Sequence, residues 1–165
     1  MYILGIWDGH DAGACIVSGK KILAAINEER ITRKKLDVGF PKESIKSCLS
    51  YLNIKPSEIG AVAISTSDFA KTLTRYFTSA KNYYYTFRRR KAAMPGMQDL
   101  RRGLKYKLTE IGPTKITKKL TEIKIKNQLE KLGFKNFKIY VVEHHLAHAA
   151  SAAYTSGFNK SLVIT

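Results

Sequence analysis

Cysteine is scarce in this chain, with two residues in 165, and Cys15 and Cys48 show none of the short spacings that metal-binding thiolates use. A disulfide framework is therefore excluded as the organising principle, and both thiols are expected to be buried and reduced. Long apolar runs are absent as well: no window approaches the roughly 18 residues of a membrane span. The apolar N-terminus "MYILGIWDGHDAGACIV" lacks the basic start of a secretory leader and carries Asp8, His10 and Asp11 inside the run. These absences lead to the expectation of a cytoplasmic protein with no membrane partner. No repeat or low-complexity tract interrupts a composition, 44% hydrophobic and 25% charged, that is ordinary for one globular domain.

Acidic side chains are the other shortage. Thirteen Asp and Glu face 29 Lys and Arg, giving a net charge of +16. From Ala70 to Lys138 nineteen cations meet four acids (Asp99, Glu110, Glu122 and Glu130), so the excess belongs almost wholly to one segment. That segment interleaves aromatics and cations in "NYYYTFRRRK", which reads either as a nucleic-acid surface or as the solvated face of packed helices.

The hydrophobic pattern divides the rest. "YILGIWD", "AGACIVS" and "KILAAIN" are three short strands with a tight turn at Ser18-Gly19-Lys20, an antiparallel meander. The polar run "EERITRKKLDVGFP" reads as a charged loop, and Pro41 opens a helix lined by Ile45, Cys48, Leu49 and Leu52. "IGAVAIS" is a buried strand of the parallel type. Phe69, Leu73, Phe77, Ala80, Tyr84 and Phe87 then form one apolar helical stripe. A second helix carries Leu100, Leu104 and Leu108, and a third carries Ile116, Leu120, Ile123 and Leu132. Residues of about 70–132 thus read as a helical, basic insertion in an α/β pattern that resumes with "FKIYVV", a histidine-bearing helix and the strand "SLVIT". The truncated look of that last strand gives the expectation that the chain is part of a longer protein.

Three of the four histidines fall within "VEHHLAH". In a helix begun near Glu143, His144 and His148 lie one turn apart on the same face, while His145 is rotated about 100° away. The spacing suits two imidazoles on one metal ion, and it equally suits two hydrogen-bonded histidines at a helix start. Gly9, His10 and Asp11 sit between two apolar strands, where a glycine-bearing hairpin can offer amide hydrogens to a phosphate with a carboxylate close by. The same residues also make an ordinary hairpin. Arg33 and Lys35, in a loop that follows a strand, suit an anionic substrate or simply a solvated loop.

Taken together and in order, "GIWDGHDAGACIV", "EERITRKKLDVGFP" and "VEHHLAHAASAAYTSGF" resemble the nodulation and cephamycin O-carbamoyltransferases. The resemblance implies an α/β fold, the first lobe of an actin-like ATPase (ribonuclease H-like) domain, distantly related to the tRNA threonylcarbamoyl-adenosine enzymes. It also implies that a second lobe and a domain forming carbamoyl adenylate lie outside this chain, which by itself would be inactive. By the same resemblance His144 and His148 hold a divalent metal, iron foremost, with zinc or manganese as alternatives. Asp8, Gly9, Arg33 and Lys35 would line the site for ATP or carbamoyl adenylate, with His10 as catalytic base and Asp11 orienting it. Carbamoyl phosphate, ATP and a hydroxyl-bearing acceptor are the implied partners. Leu36 departs from the histidine common at its position, and Trp7-Asp8 from a more usual asparagine-type pair. Two rivals are a sugar kinase or chaperone-like ATPase of the same fold, which has no use for the histidine pair, and a tRNA- or other nucleic-acid-binding module built on the basic segment.

Overall fold

The computed structural model describes residues 1–79, 112–160 and 162–163. Strands β1 (Tyr2–Trp7), β2 (Gly13–Ser18) and β3 (Lys21–Asn27) form the expected antiparallel meander. Strands β4 (Ile59–Ser65) and β5 (Lys138–Val142) join in parallel on the other side of β1, giving the order β3-β2-β1-β4-β5. Alternation sets which side chains turn inward: Leu4 and Ile6 from β1 and Ala14 and Ile16 from β2 are buried. In β4 the burial is nearly continuous, with Ile59, Ala61, Val62 and Ile64 all buried, as befits the strand between two parallel neighbours.

Between β3 and β4, helix α1 (Glu28–Thr32) precedes helix α2 (Lys42–Tyr51). The chain then passes through α3 (Phe69–Tyr76) and α4 (Lys115–Glu130) before β5, and α5 (His144–Thr155) follows that strand. Ile45, Cys48 and Leu49 of α2 and Ile125 and Leu129 of α4 share one apolar cluster with Leu4, Ile16, Val62 and Phe134. Both cysteines are free thiols. Among the described residues no helix is long and apolar enough to cross a membrane.

Several expectations require correction. The charged loop opens as a helix because Glu28 is not solvated: its carboxylate accepts from the Glu43 and Ser44 backbone N–H groups and the Ser44 hydroxyl at 2.9, 2.7 and 2.6 Å. A carboxylate placed there caps the start of α2 and favours its dipole. The apolar stripe of α3 is not its buried face, since Phe69, Tyr76 and Phe77 are exposed while Thr72 and Arg75 are buried. In α4, likewise, Ile116, Leu120 and Ile123 face outward and the buried ladder is Thr117, Thr121, Ile125 and Leu129. Its polar half meets Arg75 and its apolar half meets the core, so α4 belongs to the body of the sheet. The expected helix with Leu100, Leu104 and Leu108, and the stripe from Ala80 onward, lie outside the described residues. So do Ser161, Ile164 and Thr165 of the expected last strand, and Leu162 and Val163 are not in a strand.

Candidate functional site

The carboxyl ends of three adjacent parallel strands supply the site: Asp8 follows β1, Thr66 to Asp68 follow β4, and His144 follows β5. Ligands of open α/β sheets are generally held at such strand ends. The end of β3 opens on the same side, and its loop is tied to the hairpin by Glu28 N–H donating to Ala12 O (2.7 Å) and Ala12 N–H donating to Asp37 O (3.0 Å).

Asp8, a candidate nucleotide-site residue, is only 2% exposed and is held by two cations. Arg75 donates from Nε to Oδ2 at 2.7 Å and from Nη2 to Oδ1 at 3.1 Å, a bidentate pair. Lys71 Nζ lies 2.9 Å from Oδ1. Arg75 spends its remaining donors on Thr66 O (2.8 Å), Ser65 O (3.0 Å) and Thr121 Oγ1 (3.0 Å). Thr121 Oγ1 lies 3.2 Å from Thr72 Oγ1, and the Thr72 hydroxyl donates to Ser67 O at 3.3 Å. All five guanidinium donors are thereby satisfied inside the protein. Thr66 takes a left-handed φ of 61°, strained for a β-branched residue, while its N–H reaches Val142 O at 2.7 Å. Burial pulls the Lys71 ammonium below the ordinary lysine pKa; Asp8 opposes that and the Arg75 charge adds to it.

In the hairpin, His10 Nδ1 and Asp11 Oδ2 are 3.0 Å apart, both side chains well exposed, and Asp11 sits at φ 54°. Trp7 folds over this turn. Its Nε1 donates to His10 O at 2.6 Å, its ring lies edge-on to the His10 imidazole at 6.1 Å, and Lys71 Nζ is 4.4 Å from the indole centroid. Gly9 makes room for it, because a Cβ at that position would fall 2.0 Å from Cζ2 of the indole.

Helix α5 begins at a Glu143 cap whose carboxylate accepts from Leu146 N–H at 2.8 Å. Those backbone N–H groups hold the Glu143 carboxyl below its usual pKa. The His144 and His148 Nε2 atoms converge to 3.2 Å. Two nitrogens bound tetrahedrally to one ion at about 2.0–2.1 Å would stand roughly 3.3 Å apart, so the donor pair fits a metal. The same spacing also suits one N–H···N hydrogen bond between neutral rings. Burial, and then the neighbouring His148 and His145, push the His144 pKa below its usual value, which keeps the ring nitrogen available as a donor; Glu143 and Asp68 act the other way. Among the described residues no cluster of three or more His, Cys, Asp or Glu side chains assembles.

The structure thus gathers Asp8, Gly9, His10, Asp11, His144 and His148 around one indole. Arg33 and Lys35 are not brought in: both are exposed, with no side-chain hydrogen bond or ion pair among the described residues, and Arg33 ends α1 in a left-handed turn. Trp7, Lys71 and Arg75 were missed as site residues. A Lys and an Arg one turn apart, directly after a strand, were the available signal, submerged in a segment rich in cations. A shallow apolar groove of about 230 Å³, lined by Phe69, Thr72, Leu73, Tyr76, Phe77, Thr117 and Leu120, contains none of the candidate site residues.

The cluster lies at the strand ends of a mixed α/β domain with a five-stranded sheet, and comparison narrows the class. Residues 2–165 match the family described as Carbamoyltransferase N-terminus, and the chain belongs to that family. It is 27% identical over 157 residues to Nodulation protein NolNO of Sinorhizobium fredii, covering 94% of this chain and 19% of that protein. It is 32% identical over 162 residues to the uncharacterized protein sll1178 of Synechocystis, covering 94% of this chain and 23% of the relative. A 62-residue stretch, 38% of this chain and 12% of the relative, is 45% identical to the uncharacterized protein MJ1051 of Methanocaldococcus jannaschii. The chain therefore spans about a fifth of the length of the two relatives that it matches nearly end to end. It corresponds to the N-terminal part of a nodulation-type carbamoyltransferase.

Proposed function

We propose that this chain is the first lobe of an actin-like domain in a metal-dependent carbamoyltransferase, which moves a carbamoyl group from carbamoyl adenylate, made from ATP and carbamoyl phosphate, to an acceptor hydroxyl. The strand order, with two parallel strands added to an antiparallel meander, supports the actin-like reading. The observation that carries the function is the convergence of the His144 and His148 Nε2 atoms beside the His10–Asp11 hairpin, in a chain of this family.

His144 and His148 would hold the divalent ion, iron foremost, with zinc or manganese as alternatives. When bound, the ion supplies Lewis-acid stabilisation of charge developing on carbamoyl or phosphate oxygens. The protein's own residues do the proton work. With Nδ1–H donating to Asp11, His10 would take the acceptor's proton at its other ring nitrogen as the acceptor oxygen attacks the carbamoyl carbon. The bond from that carbon to the adenylate oxygen breaks, and AMP leaves with the electron pair. General-base help of this kind is worth about 10²–10⁴-fold. Asp8 fixes the ends of β1 and β4 through Arg75, and with Gly9 it remains a proposed part of the nucleotide site. Arg33 and Lys35 remain proposed contacts to the nucleotide or carbamoyl group, on the loop tied to Ala12.

The test is metal stoichiometry and AMP release together. The protein should take up one equivalent of Co²⁺ or Fe²⁺ and lose it in the His144→Ala/His148→Ala double variant. In the full-length protein, His10→Ala should keep the ion but lower carbamoyl-phosphate-dependent AMP release by about 10²-fold or more. Metal uptake indifferent to the double substitution would overturn the reading.

A further inference from the structure

We propose that Trp7 is the positioning residue of the histidine pair, setting the plane of the His144 imidazole so that its Nε2 meets that of His148. This rests on the metal reading above. Helix α5 fixes where His144 starts, but its own helix offers the ring only edge contacts, with His145 at 5.6 Å and with His148, and both of those side chains are exposed: α5 buries no residue, and Leu146 is 60% exposed. The torsion that turns an imidazole about its Cβ–Cγ bond is broad and not confined to narrow rotamers. The indole supplies the missing constraint. His144 stacks on Trp7 with ring centroids 5.7 Å apart and planes inclined by 23°, while the His148 ring meets His144 at 80° and 4.5 Å.

Trp7 can act as a reference surface because it is itself held. The Nε1–H bond to His10 O fixes one edge, the Gly9 backbone packs so closely that no Cβ fits, and the Lys71 ammonium lies over the ring. Lys71 is in turn pinned by Asp8 and hence by Arg75. The two ligand nitrogens are therefore pre-converged by the hairpin at the end of β1, a distant part of the sequence. Loss of the indole leaves His144 to be ordered by the incoming ion, and partners that orient a metal-bound histidine are typically worth about 10- to 100-fold in affinity.

Trp7 is the single tryptophan of the chain, which makes the test direct. Co²⁺ bound at the pair should quench Trp7 emission saturably, and the quenching should vanish in His144→Ala. Trp7→Leu should weaken Co²⁺ binding, followed by the visible absorption of the ion, by about 10- to 100-fold. Trp7→Phe, which retains a ring but no N–H donor, should fall between. Gly9→Ala, which leaves the tryptophan in place but displaces it, should weaken binding in the same direction. Without any metal, the His144 ring protons should show an upfield ring-current shift in NMR spectra that Trp7→Leu removes. Circular dichroism verifies folding of each variant, and Trp7→Phe carries the test should Trp7→Leu not fold. Co²⁺ affinity and ring-proton shifts unchanged in folded Trp7→Leu or Trp7→Phe overturn this inference alone. Co²⁺ uptake by the unsubstituted protein that ignores His144→Ala overturns both it and the metal reading.

Discussion

Around the Trp7 indole the chain keeps two groups of ionisable side chains built on opposite lines. The first, Asp8 with Lys71 and Arg75, is largely buried, and its guanidinium is internally saturated: every Arg75 donor has an acceptor among Asp8, Ser65, Thr66 and Thr121. The second, His144 with His148, stands at the start of a helix that buries nothing, and its two nitrogens point at each other across 3.2 Å. A buried charge is tolerable only when paired and hydrogen-bonded, so the first group is committed to holding β1, β4, α3 and α4 together. The second makes few contacts that folding requires and is free for a ligand. Proximity to a site is thus a poor guide to chemistry; what decides is whether a polar atom has capacity left.

Substitutions should separate the two groups sharply. Arg75→Met ought to cost the most, about 3–5 kcal/mol, because buried Asp8 would lose its bidentate partner while three acceptors lose their donor. Urea denaturation of the variant measures it, and a loss below 1 kcal/mol would remove the contrast. Glu28→Gln should be intermediate, about 1–2 kcal/mol, since the amide still accepts but no longer brings charge to the three donors at the start of α2. The His144→Ala/His148→Ala pair should cost least of the three, no more than about 1 kcal/mol, since His148 is exposed and His144 is only half-buried against Trp7, while abolishing metal uptake.

The smallest effect belongs to Asp37. Burial raises its pKa, yet hydrogen bonds from Thr32, Lys34 and the Val38 N–H outweigh that and leave it below the ordinary aspartate value. A carboxyl with a depressed folded-state pKa binds fewer protons folded than unfolded. Its contribution is therefore present above the unfolded aspartate value and is lost as pH falls through it toward the lower folded one. Because the Lys34 partner is half exposed, the ion-pair part of the effect should be slight and should shrink further in high salt. Comparing the acid limb of a pH–stability curve for Asp37→Asn with that of the parent tests this.

Much of the architecture was legible in local pattern. Period-two alternation marked β1 and β2, the Pro41 boundary and the Ile45/Cys48/Leu49 spacing marked α2, and Glu143 before the histidines marked the start of α5. The four-residue step between His144 and His148 survives folding unchanged because a helix fixes it. The faces of α3 and α4 were not legible. Each helix carries two neighbouring stripes, one of Phe, Leu and Ile and one of Thr, Lys and Arg, and hydrophobicity favours the wrong one as the buried side. For α3 the decision came from the strand ends, where the Ser65 and Thr66 carbonyls and the Asp8 carboxylate take donors that Lys71 and Arg75 bring.

The sequence by itself therefore determined strands β1 to β5, helices α2 and α5, the antiparallel meander and the one-turn spacing of two imidazoles, all of which follow from local pattern along the chain. Only the tertiary structure decided that Asp8 pairs with Arg75 and Lys71, that these first cations of the basic segment turn inward, and that Trp7 faces His144. Those facts join residues far apart in the chain, such as Asp8 with Arg75, 67 positions on. No periodicity encodes such a pairing, since it arises when folding the sheet brings the ends of β1, β4 and β5 side by side and their unpaired polar groups must be satisfied away from water.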